Sequence, residues 1–181
     1  AEKTESEMIE QQLFTVAVGA RNVVGDDFHD SIVDSSSVLP EEYKMLVKKL
    51  SEYAHDVNVR EIYTYIKYKD ELRFTSASLA YEDYLQNKTD TFFTKYYGDA
   101  ALVESVFFKP LNNNEPASIT YREGTTHIKS VFIPYTTQNG NQYVIGVDFN
   151  YSDYKSILNN TLFIFLALGF IILIFSIWLS Y

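Results

Sequence analysis

Apolar residues recur with a helical period over the first third of the chain. In residues 4–31 they follow one another at steps of three and four positions, which predicts one long amphipathic helix. Gly19 and Gly25 weaken this helix and favour a bend. A second apolar stripe follows Pro40, a residue typical of the first helical turn, and predicts a helix that ends near Asp56.

The apolar period changes from helical spacing to strict alternation in the middle of the chain. β-branched and aromatic residues dominate the alternating segments, as is typical of strands. Asn139-Gly140 predicts a tight hairpin turn. The five predicted strands lie in residues 62–68, 72–76, 117–123 and, as a second hairpin, 127–148, and residues 78–108 are predicted to hold a helix capped by Asp99. The expected fold is therefore α+β, with the long N-terminal helix packed on a five-stranded antiparallel sheet.

The end of the chain has the pattern of a membrane-spanning helix. Lys155 is the last charged residue, and residues 162–179 form an 18-residue run dominated by apolar side chains. Roughly 20 such residues span a bilayer as a helix. We therefore predict a folded domain in residues 1–153 and a transmembrane helix in residues 156–181, with membrane lipid as its partner.

Composition narrows the possible functions. The 181 residues carry 24 acidic against 15 basic side chains, a net charge of −9, which argues against nucleic acid as a partner. The absence of cysteine excludes disulfides and thiolate chemistry. No metalloprotease, P-loop or nucleophile-elbow motif is present. The sequence predicts a protein without catalytic residues, bound metal or cofactor.

The most specific pattern lies in residues 124–148, with Ser130-Val-Phe-Ile-Pro134, the turn at Gly140 and Tyr143-Val-Ile-Gly-Val-Asp148. Together with the long first helix, the strand-rich YTYIKYKDELRFTSAS and the final apolar run, it resembles the extracytoplasmic Cache domains of bacterial receptors. These domains are also called PDC or periplasmic PAS-like domains, and they serve histidine kinases, diguanylate cyclases and chemoreceptors.

The resemblance implies a PAS-like sheet and a domain that senses a small molecule, such as an amino acid or a small organic acid. It places the chain in the bacterial inner membrane, with the sensor domain in the periplasm or outside the cell. It also implies a preceding membrane helix before Ala1, an output module after Tyr181 and a homodimer. The apolar stripe of the N-terminal helix is the expected dimer interface.

Strand alternation predicts a polar sheet face that forms the ligand site. The candidate ligand-binding residues are Tyr65, Arg73, Tyr97, Tyr121, His127, Lys129 and Asp148. A cation among aromatic rings can hold a carboxylate, and an acidic residue opposite can hold an ammonium group. In citrate and dicarboxylate sensors of the resembled fold, a basic residue shortly before the proline contacts the ligand, which points to Lys129, five residues before Pro134. A surface or core role is the simpler interpretation of Tyr65, Arg73, Tyr97 and His127. Lys129, Tyr121 and Asp148 remain open between ligand contact and a surface or strand-end role.

Two other functions remain open at the level of sequence. A Tyr-rich surface on a membrane anchor also fits a protein-interaction or adhesion domain. The acidic surface could sense pH or a cation directly. A buried small-molecule pocket would separate these alternatives from ligand sensing.

Overall fold

The computed structural model describes residues 2–79, 83, 92–96 and 103–179. Its elements are an antiparallel sheet with helices on both faces and a final long helix, so the predicted α+β class is confirmed. The elements are α1 (Glu2–Val24), α2 (Asp26–Asp30), α3 (Pro40–Asp56), β1 (Glu61–Tyr68), β2 (Glu71–Ala77), β3 (Thr94–Lys95), a π-helical turn (Val103–Phe107), α4 (Phe108–Asn113), β4 (Ala117–Glu123), β5 (Thr126–Thr136), β6 (Gln142–Asn150) and α5 (Tyr151–Leu179).

The sheet has six strands in the described residues, one more than predicted, in the order β3-β2-β1-β6-β5-β4. The additional strand is β3, a two-residue edge strand that pairs with Arg73 and Phe74 of β2. Two residues are too few for alternation to be recognised in sequence. The helix expected to be capped by Asp99 lies outside the described residues.

One face of the sheet, here called the helical face, packs against α1 and α3. The α1 stripe is buried there, with Leu13, Ala17 and Ala20 at most 2% exposed. Because these residues are already buried inside the chain, the prediction that the stripe forms a dimer interface is wrong. The predicted bend is real, since Gly25 takes a positive φ of 80° that ends α1 and admits a new start at α2.

The loop between β5 and β6 has five residues, 137–141, since the last strand pair before it is Thr136 with Gln142. Asp30 on α2 holds this loop by accepting hydrogen bonds from Thr137, Asn139 and Asn141. A side chain on a helix therefore supports the turn that sets the β5–β6 register.

The last strand joins the last helix directly, because β6 ends at Asn150 and α5 begins at Tyr151. The backbone N–H of His127, at the start of β5, donates a 2.7 Å hydrogen bond to the Ser152 hydroxyl in the first turn of α5. Residues Tyr154–Trp178 form the one helix of the described chain that is long and apolar enough to cross a membrane.

Candidate ligand-binding pocket

The second face of the sheet, here called the aromatic face, is lined by rings. Alternation on β1 turns Tyr63 and Tyr65 to this face while Ile62 and Ile66 join the core on the helical face, as predicted. Phe132 of β5 and Val144 of β6 belong to the same aromatic cluster. The π-helical turn and α4 cover it, so this face is a second core rather than an open surface.

A pocket of about 290 Å³ opens beside this cluster. Strands β1, β2, β4, β5 and β6 contribute side chains to its wall, and the π-helical turn closes one side. The wall contains six aromatic residues (Tyr63, Phe74, Tyr96, Phe107, Tyr121 and Phe132), three carboxylates (Glu61, Glu123 and Asp148), and Val106, Ile119 and Ser130. We call it the aromatic pocket.

Asp148 is the most deeply buried charged group in this pocket, at 7% exposure. Its carboxylate accepts hydrogen bonds from the hydroxyls of Ser130 at 2.6 Å, Tyr63 at 3.1 Å and Tyr121 at 3.4 Å. Burial raises the pKa of Asp148, while the Ser130 and Tyr63 hydrogen bonds and the charge of Arg60 oppose that shift. Neutral donors only partly compensate a buried carboxylate, so the site favours a further positive group.

Gly146 explains how Tyr63 reaches Asp148. Tyr63 pairs with Gly146 across the β1–β6 ladder, and a Cβ atom at Gly146 would overlap the Tyr63 ring. The missing side chain lets the ring lie across β6, so that its hydroxyl meets a carboxylate two residues further along. Burial and the charge of Asp148 raise the pKa of Tyr63 well above its usual range and that of Tyr121 to about 12. Both phenols therefore stay protonated and donate.

The charge of the pocket is negative. Arg60, beside the pocket, is engaged by Glu123 in an ion pair. Among the described residues that line the pocket, three are carboxylates and none is cationic. A cation would meet both the carboxylates and the negative faces of the rings.

The structure brings two of the predicted ligand-binding residues, Tyr121 and Asp148, into the aromatic pocket. Tyr65 lies in the adjoining cluster, fully buried, where its hydroxyl donates a 3.0 Å hydrogen bond to the Phe107 carbonyl. Tyr97 lies outside the described residues. Ligand contact by any of these residues stays a prediction.

The three predicted cations lie elsewhere, so the expectation that they share a face with Asp148 is wrong. Lys129 is 8% exposed on the helical face and pairs with Glu10 of α1 at 2.8 Å. Arg73 sits opposite Ile66, also on the helical face, and pairs with Glu71. His127 is exposed at the start of β5.

Sequence reasoning missed Ser130, Phe132, Glu61 and Glu123 as pocket residues. Ser130 lies directly opposite Asp148 in the β5–β6 ladder, and directly opposed residues share a face. The signal that could have found Ser130 is this register, which depends on the loop length rather than on the strand residues.

The acidic side chains Asp26 and Asp30 of α2 form hydrogen bonds and an ion pair with other residues of the chain. Asp26 forms a bidentate pair with Arg21 and accepts a 2.6 Å hydrogen bond from the Tyr143 hydroxyl. Asp30 holds the β5–β6 loop. Across the described ranges, no group of three or more histidine and acidic side chains could hold a metal ion.

The fold is similar to that of a solved chemoreceptor sensory domain. The sensory domain of the Campylobacter jejuni chemoreceptor Tlp3 (CcmL) matches with a TM-score of 0.50 and 14% identity, over 83% of this chain and 58% of that chain. Its isoleucine-bound structure matches with a TM-score of 0.47 and 13% identity, over 83% and 57%. The chain thus spans less than three fifths of that sensory domain. No protein-family model and no curated protein matches the sequence.

Proposed function

We propose that the chain is the sensing domain of a membrane receptor and that it binds a small molecule carrying an ammonium group in the aromatic pocket. The observation that supports this most is Asp148, a buried carboxylate held by three hydroxyls among aromatic rings. The fold likeness to a sensory domain agrees with it.

The charge of the pocket favours amines and amino acids over organic acids. An ammonium group can donate to Asp148 while its positive charge faces the rings of Tyr63 and Phe132. A ligand with carboxylates alone would meet only like charge among the described wall residues. Of the two ligand classes expected from sequence, amino acids are therefore the better match, because their ammonium group can pair with Asp148.

Signal transfer would run through β6. Asp148 lies two residues before Asn150, after which α5 begins without a linker. A ligand that binds more tightly when β6 is displaced would shift α5 by its differential affinity for the two positions. We propose that α5 crosses the cell membrane, that the sensor faces the outside of the cell, and that the receptor works as a homodimer.

Thermal unfolding of the full chain in nonionic detergent tests the ligand class. Each probe set holds an amino acid, the amine left after decarboxylation and the acid left after deamination. A ligand at 100 times its dissociation constant adds about 2.7 kcal/mol of stability, which raises the melting temperature by roughly 5 to 10 °C. We expect this rise from ammonium-bearing probes only.

Two variants on the same hairpin provide the control. Asp148→Asn should abolish the shift, whereas Lys129→Met, on the opposite sheet face, should preserve it. The proposal fails if no ammonium-bearing probe raises the melting temperature. It also fails if carboxylic acids raise it and Lys129→Met removes that effect.

A further inference from the structure

Strands β1 and β6 separate at one end. Their pairing stops at Tyr65 with Val144, although β1 continues to Tyr68 and β6 begins at Gln142. Continued pairing would have joined Ile66 to Tyr143 and Lys67 to Gln142. Each strand stays paired on its outer side, β1 with β2 and β6 with β5. The gap is therefore an opening inside the sheet.

A cavity of about 410 Å³ fills this gap and is separate from the aromatic pocket. Its walls include residues of both strand ends, Ile66, Lys67 and Gln142. His29 reaches it from the helical face, and Asn112 of α4 reaches it from the aromatic face. The cavity therefore passes between the strands, and we call it the strand-gap cavity.

Backbone groups face this cavity without a strand partner. In an antiparallel sheet the residues of a strand direct their N–H and C=O groups alternately to its two neighbours. Beyond Tyr65, the groups that β1 directs toward β6 meet no paired strand. An inner edge of this kind is a template for another extended backbone, since sheet edges bind peptides by adding a strand.

The side chains around the cavity also carry groups that suit a peptide ligand. Asn112, Asn141 and Gln142 offer amide groups, each able to donate and accept as a peptide bond does. Lys67 supplies a positive charge, and its ion pair is with Asp70, which is 92% exposed. A pair so exposed is weak, so the ammonium group remains able to meet a carboxylate.

His29, in the wall of the cavity, has a buried ring nitrogen without an ordinary hydrogen bond. His29 is 3% exposed, and its Nε2 lies 3.3 Å from the Thr75 hydroxyl. Its Nδ1 makes no hydrogen bond of ordinary geometry, although the Gly25 carbonyl lies close enough to favour the protonated ring. The cavity wall therefore offers a ligand a buried ring nitrogen, Nδ1 of His29, as a hydrogen-bond partner.

We propose that the strand-gap cavity is a second ligand site, specific for a short linear peptide. The peptide lies in extended form between β1 and β6, its backbone pairs with the two strand ends, and its terminal carboxylate meets Lys67. The volume lies within the range of small-molecule sites, about 300–1,000 Å³. This site is independent of the ammonium site at Asp148.

Calorimetric titration of the full chain in nonionic detergent tests this proposal with three probes. All three probes are N-acetylated, so that none carries an ammonium group for the site at Asp148, and they are named here by their parent peptides. Triglycine carries peptide N–H groups and a carboxylate, trisarcosine has the same length without peptide N–H groups, and triglycinamide lacks the carboxylate. We expect saturable binding of triglycine, weaker binding of triglycinamide and none of trisarcosine. Equal binding of triglycine and trisarcosine, or no triglycine binding at millimolar concentration, would overturn the proposal without any variant.

Variants then locate the site. Lys67→Met should weaken triglycine binding by about tenfold, the value of one hydrogen bond to a charged group, and should leave triglycinamide unaffected. Lys69→Met is the matched control, because Lys69 lies two residues further along the chain and does not line the cavity. Asp148→Asn should leave triglycine binding intact. If Asp148→Asn abolishes it, the peptide occupies the aromatic pocket, and the second site does not exist.

Discussion

Replacing Asp148 by asparagine should stabilise the empty protein while removing its ligand affinity. The asparagine side chain would keep the volume of the aspartate and could still accept from the Ser130 and Tyr63 hydroxyls. Its amide group would donate to the Tyr121 hydroxyl, which can accept. The substitution therefore keeps the hydrogen bonds and removes only the buried charge.

The sign of the effect follows from the raised pKa of Asp148. The unfolded state ionises near pH 3.9, whereas the folded state holds its proton to higher pH. The contribution of Asp148 to stability therefore falls as pH rises from about 3.9 through the folded pKa, and stays lower above it. Asp148→Asn lacks this loss, so its advantage is absent at pH 3.5 and grows as pH rises toward 7.

At pH 7 the free energy of unfolding of Asp148→Asn should exceed that of the unmodified protein by about 1 kcal/mol. This lies in the range found when functional groups are replaced by stabilising ones. For the ligand the change has the opposite sign. Loss of one hydrogen bond between charged groups costs about 1.5–3 kcal/mol, which weakens an ammonium ligand about tenfold to a hundredfold. One substitution thus separates stability from binding.

Urea unfolding of the full chain in nonionic detergent, followed by tyrosine circular dichroism, measures the stability difference at pH 3.5, 5 and 7. Ser130→Ala is the matched control, since it removes a donor and keeps the charge, and it should destabilise the folded state at pH 7. A variant Asp148→Asn that is less stable than the unmodified protein at pH 7 would refute this reasoning. So would a stability gain that does not grow with pH.

Two further substitutions, Gly146→Ala and His29→Phe, test a close contact and the pH dependence of a buried histidine. Gly146→Ala should destabilise the fold by about 1–3 kcal/mol in urea unfolding, because its Cβ overlaps the Tyr63 ring, whereas Gly169→Ala, with nothing nearby, should not. Burial lowers the pKa of His29 to about 4, so the contribution of His29 to stability should be lost as pH falls from about 6.5 to 4. His29→Phe should flatten that slope by up to about 1.4 kcal/mol per pH unit, and an unchanged slope, or the same flattening in His127→Phe, would contradict the assignment.

The faces of single strands were predictable from the sequence, but the pairing between strands was not. Alternation assigned Tyr63 and Asp148 correctly to the aromatic face. A two-residue turn at Asn139-Gly140 would pair residue 138 with 141 and so turn Lys129 to the face of Asp148. The actual loop of five residues shifts the register by one, which turns Ser130 to that face instead.

The gap between β1 and β6 also lay beyond sequence reasoning. Residues 66–68 alternate as regularly as the rest of β1, so no local signal marks where pairing stops. The separation involves α2, α4 and the β5–β6 loop, which are distant in sequence and meet only in the folded chain.

A mutation of Asp30 could change the ligand preference of this protein during evolution. Asp30 touches no residue of the aromatic pocket, yet it holds the loop whose register decides whether Ser130 or Lys129 faces Asp148. If the hydrogen bonds of Asp30 to the loop were lost and the tighter Asn139-Gly140 turn formed, Lys129 would turn toward the aromatic pocket, a site now suited to cations. Descendants of one ancestral sensor could thus acquire opposite ligand charges through a mutation on the far side of the sheet, without a substitution at any residue of the pocket.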